Sequence, residues 1–422
     1  VTLRILYLHQ HYSAPSGSTA TRSHAFAQAL AARGHAVTLA CGRYHGAATG
    51  LDGPFRHGRR AGRAGGVEII EFDIPCANAM PLRARAAAFL RYAAATTRLA
   101  VTRRYDLVVA SSTPLTVALP ALAARTLRHT PFLFEIRDPW PELPRAMGGL
   151  PAPVLAAMDR LADAACRRAA AIVALSEGMA ATACARGADP ACVHVVPNGC
   201  DLGLFGPHIA PWRPAEAGPG ECVALYAGAH GRANGLGTLL DAAAILRARG
   251  ETRLRILLVG EGAEKPALTA RAAAEGLANV SFLDPQPRAA IGALHAGCQI
   301  ALHLLADVPA FAEWTSPNKL MDGLASGRPV VTNQPGRAAR LLQDGPSGIA
   351  VPPADAPALA DALQRLAASP AERAAMGAAG RRQAVARWDR RLLAAQFCAV
   401  AEAAGRPATR PASQDFSGAT IP

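Results

Sequence analysis

Short apolar runs alternate with helical patterns along most of this chain, and after a proline- and glycine-rich break the alternation starts again. Residues 3–8 (LRILYL), 36–41 (AVTLAC), 67–72 (VEIIEF), 106–111 (DLVVAS), 131–136 (PFLFEI), 170–176 (AAIVALS) and 193–199 (VHVVPNG) read as strands. An alanine-rich helical pattern spans roughly 19–33 and is punctuated by Gly34-His35. Strands that alternate with helices in this order predict a doubly wound parallel sheet.

The break is GPHIAPWRPAEAGPGE, which reads as a linker over 206–220. Beyond it, 223–228 (VALYAG), 253–260 (RLRILLVG), 279–284 (NVSFLD), 299–305 (QIALHLL) and 329–333 (PVVTN) are strands, and 236–250 is an amphipathic helix. The restart predicts a second α/β half, a gross duplication with a cleft between the halves. The expected division is a first domain over 1–205 and a second over 221–387, then a helix at 388–404 and a disordered tail over 405–422.

Of 44 basic residues only Lys265 and Lys319 are lysines. Lys319 lies in SPNKLMDGLASGRPVV (316–331), where Leu320, Met321 and Leu324 set a helical pattern that Gly327 ends. It therefore sits in the first turn of a helix, beside free N–H groups and the positive end of the macrodipole. A cation is disfavoured there for helix stability unless the site holds an anion. The formal charge of +13 also points to an anionic partner, a nucleotide or a membrane surface. Nucleic acid is not expected, because aromatics make up only 5% and no finger, RRM-type or basic-zipper pattern occurs.

Nine cysteines form no C-x-x-C pair, which predicts a reduced, cytoplasmic protein with thiols as small core residues. LRILYL is too short for a signal peptide, and the longest uncharged stretch, 107–124, is broken by prolines. Neither G-x-G-x-x-G after the first strand nor G-x-x-x-x-G-K-[ST] is present, which argues against a dinucleotide oxidoreductase or a P-loop enzyme. The loop after the first strand pivots on Gly17; its backbone N–H groups could face a phosphate, and an ordinary βα loop is an equal reading. His9 and His11 lack a nearby carboxylate or cysteine, and no D-x-D occurs, so no metal is expected. The loop in FEIRDPWPEL gathers Arg137 and Asp138 at a strand's carboxyl end, where parallel sheets face ligands. An arginine–aspartate pair bracing that loop is the other reading.

The order of motifs resembles glycosyltransferase family 4, of the two-domain GT-B architecture. The supporting stretches are R-G-H-A-V-T (33–38), E-I-R-D-P-W-P-E (135–142), S-E-G-M (176–179), V-P-N-G-C-D-L-G-L-F (196–205), Y-A-G-A-H-G-R-A-N-G-L (226–236), L-L-V-G-E-G (257–262) and the lysine stretch itself. Within that family the chain looks closest to bacterial N-acetylfucosamine-type transferases of capsule and O-antigen synthesis. The resemblance implies two Rossmann-like domains facing a cleft, with the last helix crossing back to the first domain. It implies a nucleoside-diphosphate sugar donor, UDP-linked, and no cofactor. Donor contacts would come from Gly17, Gly228, Asn234, Glu261, Glu313, Asn318, Lys319 and Asp322, and catalysis from Lys319, Arg137 and Asp138. Asp322 matches the second of two family glutamates, which typically holds the donor ribose; the first falls on Trp314, with Glu313 one place off. Two family cations on the diphosphate are replaced by Ala229 and Asn234, which leaves Lys319 as the charge for the leaving group.

The segment 80–104 interleaves Arg83, Arg85, Arg91 and Arg98 with leucine, phenylalanine and tyrosine. It is expected to lie on an anionic leaflet, placing the enzyme peripherally on the inner face of the plasma membrane beside a lipid-linked acceptor; a solvated helix face is the other reading. Two rival functions share the architecture. One is a nucleotide-sugar 2-epimerase; the other is a subunit that binds nucleotide or membrane without catalysis.

Overall fold

The computed structural model describes residues 2–17, 21–77 and 79–406. The tail expected over 405–422 lies, from 407 onward, outside the described residues. The first half carries strands β1 (Arg4–Leu8), β2 (Ala36–Tyr44), β3 (Arg59–Ala64), β4 (Val67–Cys76), β5 (Leu107–Ser111), β6 (Phe132–Ile136), β7 (Ala171–Ala174) and β8 (Val193–Val195). They form one sheet in the order β3-β4-β2-β1-β5-β6-β7-β8, parallel except for the β3–β4 pair. Its helices are α1 (Arg22–Ala32), α2 (Leu82–Thr102), α3 (Ala118–Arg128), α4 (Glu142–Met147), α5 (Ala152–Arg168) and α6 (Glu177–Ala185).

Side chains alternate across a strand, so each strand feeds two cores. Leu6 and Leu8 of β1 pack with Phe132 and Phe134 under α2, α3 and α5. Ile5 and Tyr7 of the same strand join the opposite core, with Leu39, Val109 and Leu133. That second core is closed partly by Phe26 of α1 and partly by the last helix, α14 (Arg390–Gly405), through Leu393 and Phe397. Phe26 and Phe397 stack with ring centroids 4.6 Å apart. The first sheet therefore borrows part of its covering layer from the far end of the chain.

The second half has strands β9 (Cys222–Ala227), β10 (Leu254–Val259), β11 (Val280–Leu283), β12 (Ile300–His303), β13 (Val330–Thr332) and β14 (Gly348–Ala350). They are all parallel, in the order β11-β10-β9-β12-β13-β14. Helices α7 (Gly237–Ala248), α8 (Lys265–Ala274), α9 (Arg288–Gly297), α10 (Asn318–Ala325), α11 (Arg337–Asp344), α12 (Ala356–Ala368) and α13 (Pro370–Arg387) complete it. Leu320, Met321 and Leu324 of α10 bury against Val259, Ala301 and Val330, which sets the opposite side of the helix toward the cleft. Two such parallel sheets, each covered on both faces, make the two-domain α/β architecture expected from the alternation.

The chain passes between the domains twice, and the two passages pair with each other. Cys200 and Asp389 form an isolated parallel bridge. The Cys200 N–H donates to Trp388 O at 2.8 Å, and the Arg390 N–H to Cys200 O at 3.0 Å. A Cβ on Gly199 would run into the Leu393 side chain and Trp388 O, so the close approach requires glycine.

Two strands escaped the sequence pattern, and each for a reason. β3, with its sequence RRAGRA, is a sheet edge whose residues alternate between exposed and half-buried, so it shows no apolar periodicity. β14 is three half-buried residues. The run 193–199 is strand only as far as Val195, because Pro197 and Gly199 already belong to the interdomain passage.

Candidate active site

The carboxyl ends of both sheets open into one cavity of about 870 Å³ between the domains. Arg137, Asp138, Gly228, Glu261, Asn318, Lys319 and Asp322 all line it. Five cations face it, namely Arg22, Arg137, Arg288, Lys319 and Arg390, against three carboxylates, Asp138, Glu261 and Asp322. The surplus is positive, and how each charge is already engaged decides what remains for a ligand.

Lys319 stands in the first turn of α10, a helix that no side chain caps. Its side chain lies along Gly228 so closely that a Cβ at that position would overlap the lysine Cε. Its ammonium sits 5.0 Å from the centroid of the Tyr226 ring. Among the described residues no carboxylate pairs with it. Burial pushes its pKa down to about 8, with Asp322 acting in the opposite sense. This is a buried cation beside a helix N-terminus, short of an anion.

Arg288, at the start of α9, donates to both oxygens of Asp322 at 2.9 Å each, and its guanidinium lies 4.5 Å over the Phe205 ring. Asp322 is thus bound at both oxygens, so any ligand hydroxyl it accepts, including the ribose contact implied by the resemblance, must be shared with Arg288. Glu261 lines the cavity, but one of its oxygens accepts from Lys265 at 2.8 Å, and Lys265 also reaches Asp284 at 2.8 Å. The other lysine of the chain is a brace between two loops.

On the first-domain wall, Arg137 and Asp138 do not pair with each other. Arg137 donates to His9 Nε2 at 2.6 Å, and Thr113 Oγ1 donates to Asp138 at 2.6 Å. Burial, then the Arg137 charge, holds His9 well below its ordinary pKa. Neutral His9 therefore accepts at Nε2, and its protonated Nδ1 donates to Ser23 Oγ at 2.7 Å. Among the described residues no group of three His, Cys, Asp or Glu side chains could hold a metal ion.

Three expected donor contacts are placed elsewhere. The Gly17 N–H is used within its own loop, donating to Ala14 O at 3.0 Å, and a Cβ there would strike Ser13 Oγ and the Ala48 nitrogen. Gly17 is a packing glycine outside the cavity lining, and residues 18–20 of the same loop are outside the described residues. Asn234 is buried in the turn before α7 and does not reach the cavity. Glu313 pairs with Arg340 at 2.8 Å, while its carbonyl accepts from Ser176 Oγ across the domain boundary at 2.8 Å. Its neighbour Trp314 is the one that lines the cavity.

Arg22, Arg288 and Arg390 line the site without having been singled out in the sequence. Arg22 is spent on Glu135 at 2.8 Å and on the carbonyls of Val196 and Pro197. Arg390 opens the returning helix and donates to Thr21 Oγ1 at 2.6 Å and Gly199 O at 2.8 Å. The partners of Arg22 and Arg390 lie more than a hundred residues away and that of Arg288 34 residues away, so no local spacing announces them. Arg83, Arg85, Arg91 and Arg98 all stand on α2, away from the cavity.

Residues 17–199 match the model of the glycosyl transferase 4-like domain, and residues 221–369 that of glycosyl transferases group 1. The chain is 32% identical over 191 residues to a D-inositol 3-phosphate glycosyltransferase of Nocardia farcinica, covering 43% of this chain and 41% of that one. It is 28% identical over 162 residues to an O-antigen chain mannosyltransferase C of Escherichia coli, covering 37% and 39%. The chain thus spans about two fifths of the length of the curated relatives it matches. Among solved structures it is similar to HepE of Anabaena in complex with UDP and glucose, with a TM-score of 0.68 at 18% identity over 94% of this chain and 98% of that one. A sucrose-phosphate synthase of Thermosynechococcus elongatus gives 0.71 at 20% identity, over 93% and 97%. WaaG, a glycosyltransferase involved in lipopolysaccharide biosynthesis, gives 0.65 at 16%, over 94% and 99%. The chain thus matches a glycosyl transferase 4-like domain in its first half and glycosyl transferases group 1 in its second, and it shares the two-domain GT-B fold of its structural neighbours.

Proposed function

We propose that this protein is a retaining glycosyltransferase that works without a metal or other cofactor. It would transfer an N-acetylated hexosamine or deoxyhexosamine from a nucleoside diphosphate, UDP-linked, to a polyprenyl-diphosphate-linked saccharide in bacterial surface-polysaccharide synthesis, capsule or O-antigen. The observation that carries this reading is Lys319, a cavity-lining ammonium at a helix N-terminus that no carboxylate among the described residues pairs with. A departing diphosphate is the anion that suits such a place. The C1–O bond of the donor breaks toward Lys319 and the neighbouring backbone N–H groups. The acceptor hydroxyl attacks C1 from the same face, and its proton leaves with the diphosphate oxygen, so no protein nucleophile takes part. Arg137 and Asp138, which line the opposite wall of the cavity, would take part in catalysis beside Lys319. The relatives named for glycosyl and mannosyl transfer and the UDP-bound neighbour support the donor class.

Membrane attachment is assigned to α2. Leu82 and Leu90 are 59% and 58% exposed there, next to the exposed Arg83, Arg91 and Arg98. Leu127 on α3, which packs against α2, is 66% exposed as well. No helix among the described residues is long and apolar enough to cross a membrane.

The test is turnover of UDP-N-acetylhexosamines with a polyprenyl-diphosphate saccharide, with and without EDTA. We expect UDP release that needs the acceptor, survives the chelator and keeps the donor's anomeric configuration in the product. Conversion of the donor to its 2-epimer without acceptor would identify an epimerase instead. Nucleotide binding without turnover would point to a non-catalytic subunit.

A further inference from the structure

We infer that Arg288 is a positioning residue for nucleotide recognition, clamping Asp322 so that its carboxylate accepts the ribose hydroxyls of the bound nucleotide. This rests on the proposed donor site and adds to it a residue on a different helix. The pair is built, with two parallel bonds of 2.9 Å between a guanidinium whose side chain is 16% exposed and a carboxylate 4% exposed. Phe205 backs the guanidinium plane, so the fork is held from a second side. A bidentate arginine of this kind fixes the carboxylate plane, which a single-point cation would not.

Each Asp322 oxygen has accepted one bond and keeps a second lone pair. Two such acceptors side by side match the two hydroxyls of a cis-diol. Asp322 also lies three residues after Lys319 on α10, and side chains so spaced are neighbours on one helix face, about 5–6 Å apart. A cation and a diol acceptor separated in this way match a phosphate and the ribose joined to it. The pairing has an electrostatic consequence too. Without Arg288, the Asp322 carboxylate would stand uncompensated one helical turn from Lys319 and oppose the anion that Lys319 is placed to receive. Arg288 cancels that charge and leaves the hydrogen-bonding capacity in place.

Calorimetric titration of the full chain with UDP and GDP, each against its 2′-deoxy and 3′-deoxy counterparts, tests the assignment. Wild type should prefer the ribonucleotide it binds by about 10- to 100-fold over a deoxy counterpart, the worth of a hydrogen bond to a charged acceptor. Arg288→Gln should bring that ratio close to one, and Arg288→Lys should retain part of it. Because Arg288→Gln leaves a buried carboxylate unpaired, the neutral double variant Arg288→Gln/Asp322→Asn is titrated in parallel and should also lose the ratio. A wild-type ribo-to-deoxy ratio in either Gln-containing variant, or a ratio of one in wild type, would overturn the role of Arg288 while leaving the donor site intact. Failure of wild type to bind any nucleoside diphosphate would bring down the donor-site reading itself.

Discussion

At the scale of single residues the site turns on Lys319, which no carboxylate among the described residues pairs with. Lys319 has its pKa pushed to about 8 by burial, from an ordinary value of 10.5. The sign follows from linkage. Below pH 8 the lysine is charged in both folded and unfolded chains, and the fold carries the full cost of burying the charge. Between about 8 and 10.5 the folded chain has already released the proton that the unfolded chain still holds, so stability rises with pH. Nucleotide binding runs the other way, because the anion needs the charged form. Affinity for a nucleoside diphosphate should be level just below pH 8 and fall by up to tenfold per pH unit above it. Lys319→Ala should lower turnover by ~10²-fold, the scale of losing one oxyanion donor, and should flatten that fall. Lys319→Arg should move the fall to higher pH while rescuing turnover only in part. An affinity profile identical in wild type and Lys319→Ala would remove Lys319 from the anion site. Gly228 gives an independent check. Gly228→Ala adds a methyl where the lysine Cε lies, so it should weaken nucleotide binding while the chain stays folded; full affinity in that variant would show that the lysine does not need the slot.

At the scale of elements, what was legible followed how local each signal was. The strands β1, β5, β6, β9 and β10 are fully or almost fully buried apolar runs, and such runs are visible without partners. The helix bearing Lys319 was legible because three apolar residues at helical spacing face the core while Asn318, Lys319 and Asp322 line the cavity. Glu313 and Trp314 were ambiguous, since their segment is a 3-10 turn followed by loop, with no period to say which side chain points inward. Arg288 follows Pro285-Gln286-Pro287 and looks like any first residue of a helix; only contact with Asp322, 34 residues on, gives it a role. Helix α14 was legible as a helix, but its burial of Phe397 in the first domain depends on the whole intervening chain. Phe397→Ala should destabilise the protein by about 3–5 kcal/mol, the usual cost of emptying a core phenylalanine site, and the loss should appear in the unfolding of the first domain. A chain lacking residues 390–406 should expose the first sheet to hydrogen exchange; unchanged protection of β1 and β5 would mean that α14 is dispensable there.

At the scale of the whole molecule, charge and exposed apolar area fall on different surfaces with different uses. The cavity concentrates cations for a small anion, whereas α2 displays leucines and arginines together on the outside of the first domain. The arginines there differ in what holds them. Arg85 is half-buried and leans over Phe89, with its guanidinium carbon 5.8 Å from the ring centroid, while Arg83, Arg91 and Arg98 are exposed. An arginine near an anionic leaflet is worth roughly 1 kcal/mol, so replacing Arg83, Arg85, Arg91 and Arg98 by glutamine should weaken attachment to anionic vesicles by several kcal/mol. Raised salt should imitate the substitution, because screening acts on the same attraction. Leu82→Ser/Leu90→Ser should weaken attachment as well, but with little dependence on salt, since apolar burial is not screened. None of these changes touches the cavity, so turnover of a water-soluble acceptor analogue should persist in each. If the arginine variant sediments with anionic vesicles as wild type does, α2 is a solvated face, and the meeting of enzyme and lipid-linked acceptor must be arranged elsewhere on the molecule.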